Sequence, residues 1–230
     1  MDVRSGSASL CCDTLLVAPL FPGEVICAVT TEFALAEAEL QPDELRLIAP
    51  AVRRRRLEFA AGRQCAHAAL RALGAPPGPL LSNEHRVPLW PTGIVGSIAH
   101  TPEVAAAAAA RRSDLGGIGL DVERRNAVEE ALRERICTPS ELEHHRALPH
   151  SPGVDWPTLC FSAKESFFKC YFPVARTMLG FSEVEIEFGE GTFSARIVNP
   201  ARKNVFEAGS HQGRWRANGE WLATGYVWRP

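Results

Sequence analysis

Residues Trp156–Tyr171 read WPTLCFSAKESFFKCY, and their reading decides the fold. Pro157 suits the first turn of a helix, where its missing N–H costs nothing. Leu159, Phe161, Phe167, Phe168 and Tyr171 then recur at helical spacing. Between them, Glu165 and Lys169 stand four residues apart and share one face. An acid and a base beside an apolar stripe form either a surface ion pair or a carboxylate and an ammonium facing a substrate. The helix alone leaves both open.

A second stretch, Gly117–Glu123, reads GIGLDVE. Strand alternation puts Asp121 and Glu123 on one face and Ile118, Leu120 and Val122 on the other. Two carboxylates with no basic residue between them repel unless a cation or a proton joins them. Such a pair at a strand end suits magnesium, a hard ion that takes oxygen ligands, although acidic strands are also common on surfaces.

Upstream, Ala51–Gly74 has the pattern of a long helix with a small-residue face, and Gly74 is a natural stop. Its run Arg53–Arg56 winds around the helix, so not all four can meet one ligand. Arg55 and Arg63 lie close to two turns apart and could clamp a diphosphate, whereas Arg53 and Arg54 read as solvated. In WPTGIVGSIAHT, over 90–101, the prolines and glycines forbid a helix. There Gly96, Ser97 and Thr101 surround His100, which reads either as a hydrogen-bonded structural residue or as a phosphate contact. Six alanines follow at 105–110. Propensity favours a helix, but GSIAH before them and RRSDLGG after them read as a hairpin, which makes Ala105–Ala110 a buried strand.

Elsewhere, residues 13–30 read as short strands broken by a Pro-Gly turn, and 31–44 as helical with a restart near Asp43. Residues 126–135 read as a charged helix, and Thr138-Pro139-Ser140-Glu141 as a capping box opening the next. After Gly180 the pattern alternates, with Asn218-Gly219 marking a hairpin turn.

The balance of 46% hydrophobic and 23% charged residues suits a globular chain. A net charge of −2 gives no global basic field for nucleic acid, so any anion site must be local. No apolar window is long enough to span a membrane, and the start reads as no signal peptide. The seven cysteines show no CxxC spacing, which argues against a disulfide framework or a zinc ribbon and fits a reduced, cytoplasmic protein.

The three segments WPTGIVGSIAHT, GIGLDVE and FSAKESFFK, in this order, resemble the signature regions of the phosphopantetheinyl transferases. Specifically, they resemble the single-chain type that serves siderophore, polyketide and peptide synthetases, the enterobactin-synthetase component D group. RLEFAAGRQCAHAAL resembles that group's N-terminal phosphate-binding helix, and the resemblance covers roughly Arg53–Phe172. It implies an α+β fold of two similar halves, 1–112 and 113–230, related by a pseudo-twofold, with coenzyme A in the cleft between them. Asp121, Glu123 and Glu165 match the family's magnesium ligands, and Lys169 its catalytic lysine. His100 matches the histidine on the 3′-phosphate of coenzyme A, Arg55 and Arg63 the arginines on its phosphates, and Ser97 sits beside them as a further contact. Some relatives carry a basic residue at the position of Ser82, so Arg86 or His85 would supply that charge.

The implied reaction moves the phosphopantetheine arm of coenzyme A to a serine of an acyl or peptidyl carrier protein and releases 3′,5′-ADP, in a monomer. Two rival readings use the same residues: a magnesium-dependent phosphohydrolase acting on a nucleotide-like diphosphate, and a coenzyme A-binding module without catalysis.

Overall fold

The computed structural model describes residues 16–34, 36–148, 153–202, 206 and 210–230. Its first sheet contains strands β1 (Ile26–Thr30), β2 (Ile94–His100) and β3 (Ala105–Arg111), antiparallel in the order β1-β3-β2. The alanine run is therefore the central strand, and each of Ala105–Ala110 is 0% exposed. Pairing on both sides satisfies the backbone of β3, which outweighs a helix preference of at most about 0.7 kcal/mol per residue. The odd-numbered alanines face helix α2 (Arg53–Ala72), while Ala106, Ala108 and Ala110 face the second sheet. Small residues on both partners bring helix and strand close together: a Cβ on Gly62 would stand 2.9 Å from Ile98.

The second sheet holds β4 (Gly117–Arg124), β5 (Val184–Gly189), β6 (Thr192–Ile197), β7 (Ser210–Ala217) and β8 (Trp221–Arg229), antiparallel in the order β4-β8-β7-β6-β5. Helix α5 (Trp156–Ala175) covers its outer face, with Leu159, Ala163, Phe167 and Cys170 in one core with Leu222 and Tyr226. Its inner face, from Ile118, Leu120, Val122, Ala223 and Val227, shares a core with the inner face of the first sheet. The layers run helix, sheet, sheet, helix, an α+β arrangement.

Three smaller helices complete the described elements: α1 (Pro42–Ile48), α3 (Glu130–Ile136) and α4 (Pro139–Ala147). Thr138 and Glu141 form the expected capping box of α4. Asp155 caps α5 by accepting the Thr158 N–H, and Gly74 takes a left-handed φ of 70° just past α2.

Three local expectations need correction. The stretch 13–30 supplies one strand, not several: Ala18–Leu20 is a 3-10 turn whose neighbours Val17, Leu20 and Phe21 fill the inter-sheet core, and residues 13–15 lie outside the described residues. Within 31–44 only a 3-10 turn, Ala36–Glu39, precedes α1, which starts at Pro42 because Gln41 and Glu44 cap it. The charged helix begins at Glu130 rather than 126, because Asn126 adopts φ 62° and cannot open a right-handed helix.

Candidate active site

Helix α5 lies so close to β4 that a Cβ on Gly119 would fall 1.7 Å from the Ser166 carbonyl oxygen. That approach sets the acidic face of β4 against Glu165 and Lys169. Lys169 Nζ donates to Asp121 Oδ1 at 2.7 Å and to the Leu120 carbonyl at 3.2 Å. Asp121 is only 5% exposed, and its Oδ2 is buried without a hydrogen-bond partner.

The charges around Asp121 act on one another. Burial pushes the Glu123 carboxyl up to about 8, with Asp121 and Glu165 adding to the rise and Lys169 opposing it. Burial and Asp121 also raise Glu165 against the pull of Lys169. Burial opposes the charge on Lys169, yet Asp121, Glu165 and Glu123 outweigh it and raise its pKa above the ordinary lysine value. This is a carboxylate-rich site short of positive charge, and its orphaned Asp121 oxygen is a ready ligand atom. The donor set, all oxygen, fits magnesium. Among the described residues the three carboxylates do not close to within 4.8 Å of one another as a set.

The first half contributes the other edge of the site. Arg55 donates an Nη to His100 Nε2 at 2.8 Å. Burial, and then the Arg55 charge, hold His100 down to about 4, and Lys169 acts in the same direction. His100 is therefore neutral at physiological pH and lies within the field of the α5 lysine, which links the N-terminal candidates to the carboxylates. Sequence reasoning missed Glu58, which faces Arg54 at 3.2 Å, Arg55 at 3.5 Å and His100 Nδ1 at 3.9 Å. Its spacing, three and four residues after the arginines, was the available signal. Of the arginine run, Arg54 is solvated beside Glu58 and Arg56 pairs with Glu37, so Arg55 is the one turned to His100.

Two expected contacts do different work. Ser97 is 4% exposed, and its hydroxyl accepts the Leu120 N–H at 3.0 Å, so it braces β2 against β4. The inward alternation of β2 dictates this, since Val95 and Ala99 on the same face lie in the inter-sheet core. Arg63 is no mirror image of Arg55. It is 4% exposed, donates Nε to the Leu80 carbonyl at 2.7 Å and an Nη to Ser82 at 2.8 Å, and stacks 4.3 Å from the Phe59 ring centroid. Burial lowers its pKa to about 10, still cationic. The Ser82 hydroxyl thus helps to hold the Arg63 guanidinium in place. Arg86 is exposed on the turn 83–87, with φ 62°, and His85 of that turn packs edge-on against Phe172 of α5 at 5.4 Å.

Lys164 was also missed. It is 3% exposed and donates to Glu141 at 2.7 Å and to the carbonyls of Ile136 and Phe181, both at 2.8 Å. Glu141 in turn accepts the Ile186 N–H at 2.7 Å. This knot anchors α5 beside Glu165. A cavity of about 770 Å³ opens elsewhere, between α3, α4 and the start of α5, and none of the carboxylates or Lys169 lines it.

Two family models match the chain: the 4'-phosphopantetheinyl transferase N-terminal domain over residues 43–110 and the 4'-phosphopantetheinyl transferase superfamily over 117–224. The chain is 38% identical over 217 residues to 4'-phosphopantetheinyl transferase Svp of Streptomyces mobaraensis, covering 88% of this chain and 85% of that one. It is 32% identical over 213 residues to 4'-phosphopantetheinyl transferase Npt of Nocardia iowensis, covering 87% and 94%. Enterobactin synthase component D of Escherichia coli is 38% identical over 138 residues, covering 58% and 62%. With models matching residues 43–110 and 117–224 and relatives alike over most of their length, the chain belongs to the 4'-phosphopantetheinyl transferase superfamily.

Proposed function

We propose that this transferase uses Asp121, Glu123 and Glu165 to hold Mg²⁺, and Glu165 and Lys169 to move the phosphopantetheine arm of coenzyme A onto a carrier-protein serine. The observation that carries the reading is the meeting of three carboxylates and Lys169 across β4 and α5, with the orphaned Asp121 oxygen at its centre. The bound ion would supply charge stabilisation at the diphosphate of coenzyme A. Arg55, next to neutral His100, offers a cation to the remaining phosphates, and Arg63 adds a buried positive charge behind it.

The serine oxygen attacks the β-phosphorus, the P–O bond to the adenosine side breaks, and 3′,5′-ADP leaves with that electron pair. Glu165 takes the serine proton, held by α5 beside β4 where the hydroxyl would arrive. Lys169 compensates negative charge on the leaving phosphate. Lys169 would release Asp121 on substrate binding, which leaves the Asp121 carboxylate free to hold the ion and the ammonium free for the phosphate.

The division into halves 1–112 and 113–230, related by a pseudo-twofold, belongs to this proposal, as does coenzyme A binding between them. Its support is that each half sets one twenty-residue helix on an antiparallel sheet. A cytoplasmic monomer acting on acyl or peptidyl carrier domains completes the reading. No helix among the described residues is long and apolar enough to cross a membrane.

Intact-mass spectrometry tests this. An apo carrier protein incubated with the enzyme, coenzyme A and Mg²⁺ gains one phosphopantetheine arm, and EDTA abolishes the gain. Consumption of coenzyme A with no gain on the carrier would replace transfer by hydrolysis. An unmodified carrier with intact coenzyme A would leave binding alone.

A further inference from the structure

A second cluster of ligand-type side chains lies away from the carboxylates, where α4 meets the first turns of α5. Cys137 precedes α4, Glu141 and His145 follow at intervals of four residues, and Cys160 faces them from α5. One ligand atom each from Cys137, Glu141 and Cys160 lies within 4.8 Å of the others, and all three residues are buried. Ligands on a tetrahedral zinc ion, with Zn–S bonds of about 2.3 Å, sit about 4 Å apart, so small side-chain adjustments would close the set.

His145 supplies the independent sign of a ligand. It is 8% exposed, and neither ring nitrogen reaches a nitrogen or oxygen partner, while the Cys137 thiol stands within hydrogen-bonding reach of the ring. Its neighbours in the wall are rings, Trp156 at 6.5 Å and Phe188 at 5.9 Å between centroids. A thiol is a weak hydrogen-bond partner, so a buried imidazole facing one is left under-satisfied, and an ion shared with that sulfur would satisfy it. Glu141 keeps capacity as well. Its Oε2 accepts from Lys164 and the Thr138 N–H and its Oε1 from the Ile186 N–H, leaving one of a carboxylate's roughly four lone-pair positions open on Oε1.

We propose that Cys137, Cys160 and His145, with Glu141 as the fourth ligand, form a structural site for a borderline-soft divalent ion of the zinc class, separate from the magnesium carboxylates. Two thiolates and an imidazole select zinc or cobalt over magnesium. On binding, the two thiols release their protons to solvent. The ion would tie α4 to α5 five residues before Glu165. His145 lines the 770 Å³ cavity, whose wall also carries Glu130 and Glu134, so that cavity is the entry path.

The test is a cobalt titration of the chelator-stripped, phosphine-reduced full chain in excess Mg²⁺, which masks oxygen-only sites. One equivalent of Co²⁺ should produce a near-ultraviolet thiolate-to-cobalt charge-transfer band and intense tetrahedral visible bands, bleached by Zn²⁺. Cys137→Ala and, separately, Cys160→Ser should abolish the charge-transfer band or cut it in half, and His145→Gln should weaken binding at least about tenfold. Circular dichroism identifies any variant that does not fold. The wild-type result stands without the variants: no charge-transfer band in the reduced protein overturns the site. A band unchanged in folded Cys137→Ala overturns it equally.

Discussion

The Ser97 hydroxyl on β2 accepts the Leu120 N–H of β4 at 3.0 Å, and the carbonyl of the same Leu120 accepts from Lys169 at 3.2 Å. One residue on the free edge of the second sheet is thus satisfied from both sides, by β2 and by α5. Ser97→Ala removes the acceptor and leaves a buried N–H unpaired, which should cost about 1–3 kcal/mol in urea unfolding. As a brace rather than a phosphate contact, the variant should keep its KM for coenzyme A within about twofold. A large rise in KM at unchanged stability would restore Ser97 as a ligand contact.

The organising helix, the acidic strand and the hairpin around the alanines were legible because periodicity and turn residues agreed there. WPTLCFSAKESFFKCY shows its apolar stripe outright, and Gly, Pro and Asp residues frame Ala105–Ala110 against their own propensity. Asp121 and Glu123 shared a face by strand alternation alone, and that parity holds. What could not be read was commitment. Ser97 and Arg63 carry groups that could meet a phosphate, but packing assigned the Ser97 hydroxyl to Leu120 and the Arg63 guanidinium to Leu80 and Ser82. Lys164 and the Cys137–Cys160 cluster depend on α4 folding onto α5, a tertiary event without local periodicity.

His100 gives a pH signature. Its pKa falls from 6.5 to about 4 on folding, so the unfolded chain takes a proton between those values while the folded chain does not. The stability it contributes is complete above pH 6.5 and is lost as pH falls towards 4, by at most about 3 kcal/mol. Denaturant unfolding across that window should show the slope in the wild type and a flatter limb in His100→Gln. Identical slopes would mean that His100 titrates normally.

Gly119→Ala should be severe. The new Cβ meets the Ser166 backbone, with its carbonyl oxygen at 1.7 Å and carbon at 2.7 Å, so no side-chain rotation relieves it. We expect a loss of about 3 kcal/mol or more and displacement of Glu165 and Lys169 from β4. Thermal unfolding and transfer rate should fall together; a stable, active variant would show that α5 does not sit this close.

Lys164→Met strands Glu141, since both members of the pair have side chains only 2% exposed. Removing one partner of such a pair costs about 3–5 kcal/mol, read as a lower midpoint in guanidinium unfolding. The double variant Lys164→Met with Glu141→Gln should recover part of it. No recovery would mean that the lysine's contacts to the Ile136 and Phe181 carbonyls, rather than the ion pair, carry the effect.

The most direct measurement is the carrier mass assay run with wild type and Glu165→Gln side by side, with 3′,5′-ADP quantified in the same samples and the Tm of each protein recorded. Wild type should release one 3′,5′-ADP per arm added, only with Mg²⁺. Glu165→Gln, isosteric and half-buried, should keep its Tm and lose about 10²–10⁴-fold in transfer rate. Wild-type turnover by Glu165→Gln, or 3′,5′-ADP released without an arm on the carrier, would contradict the account.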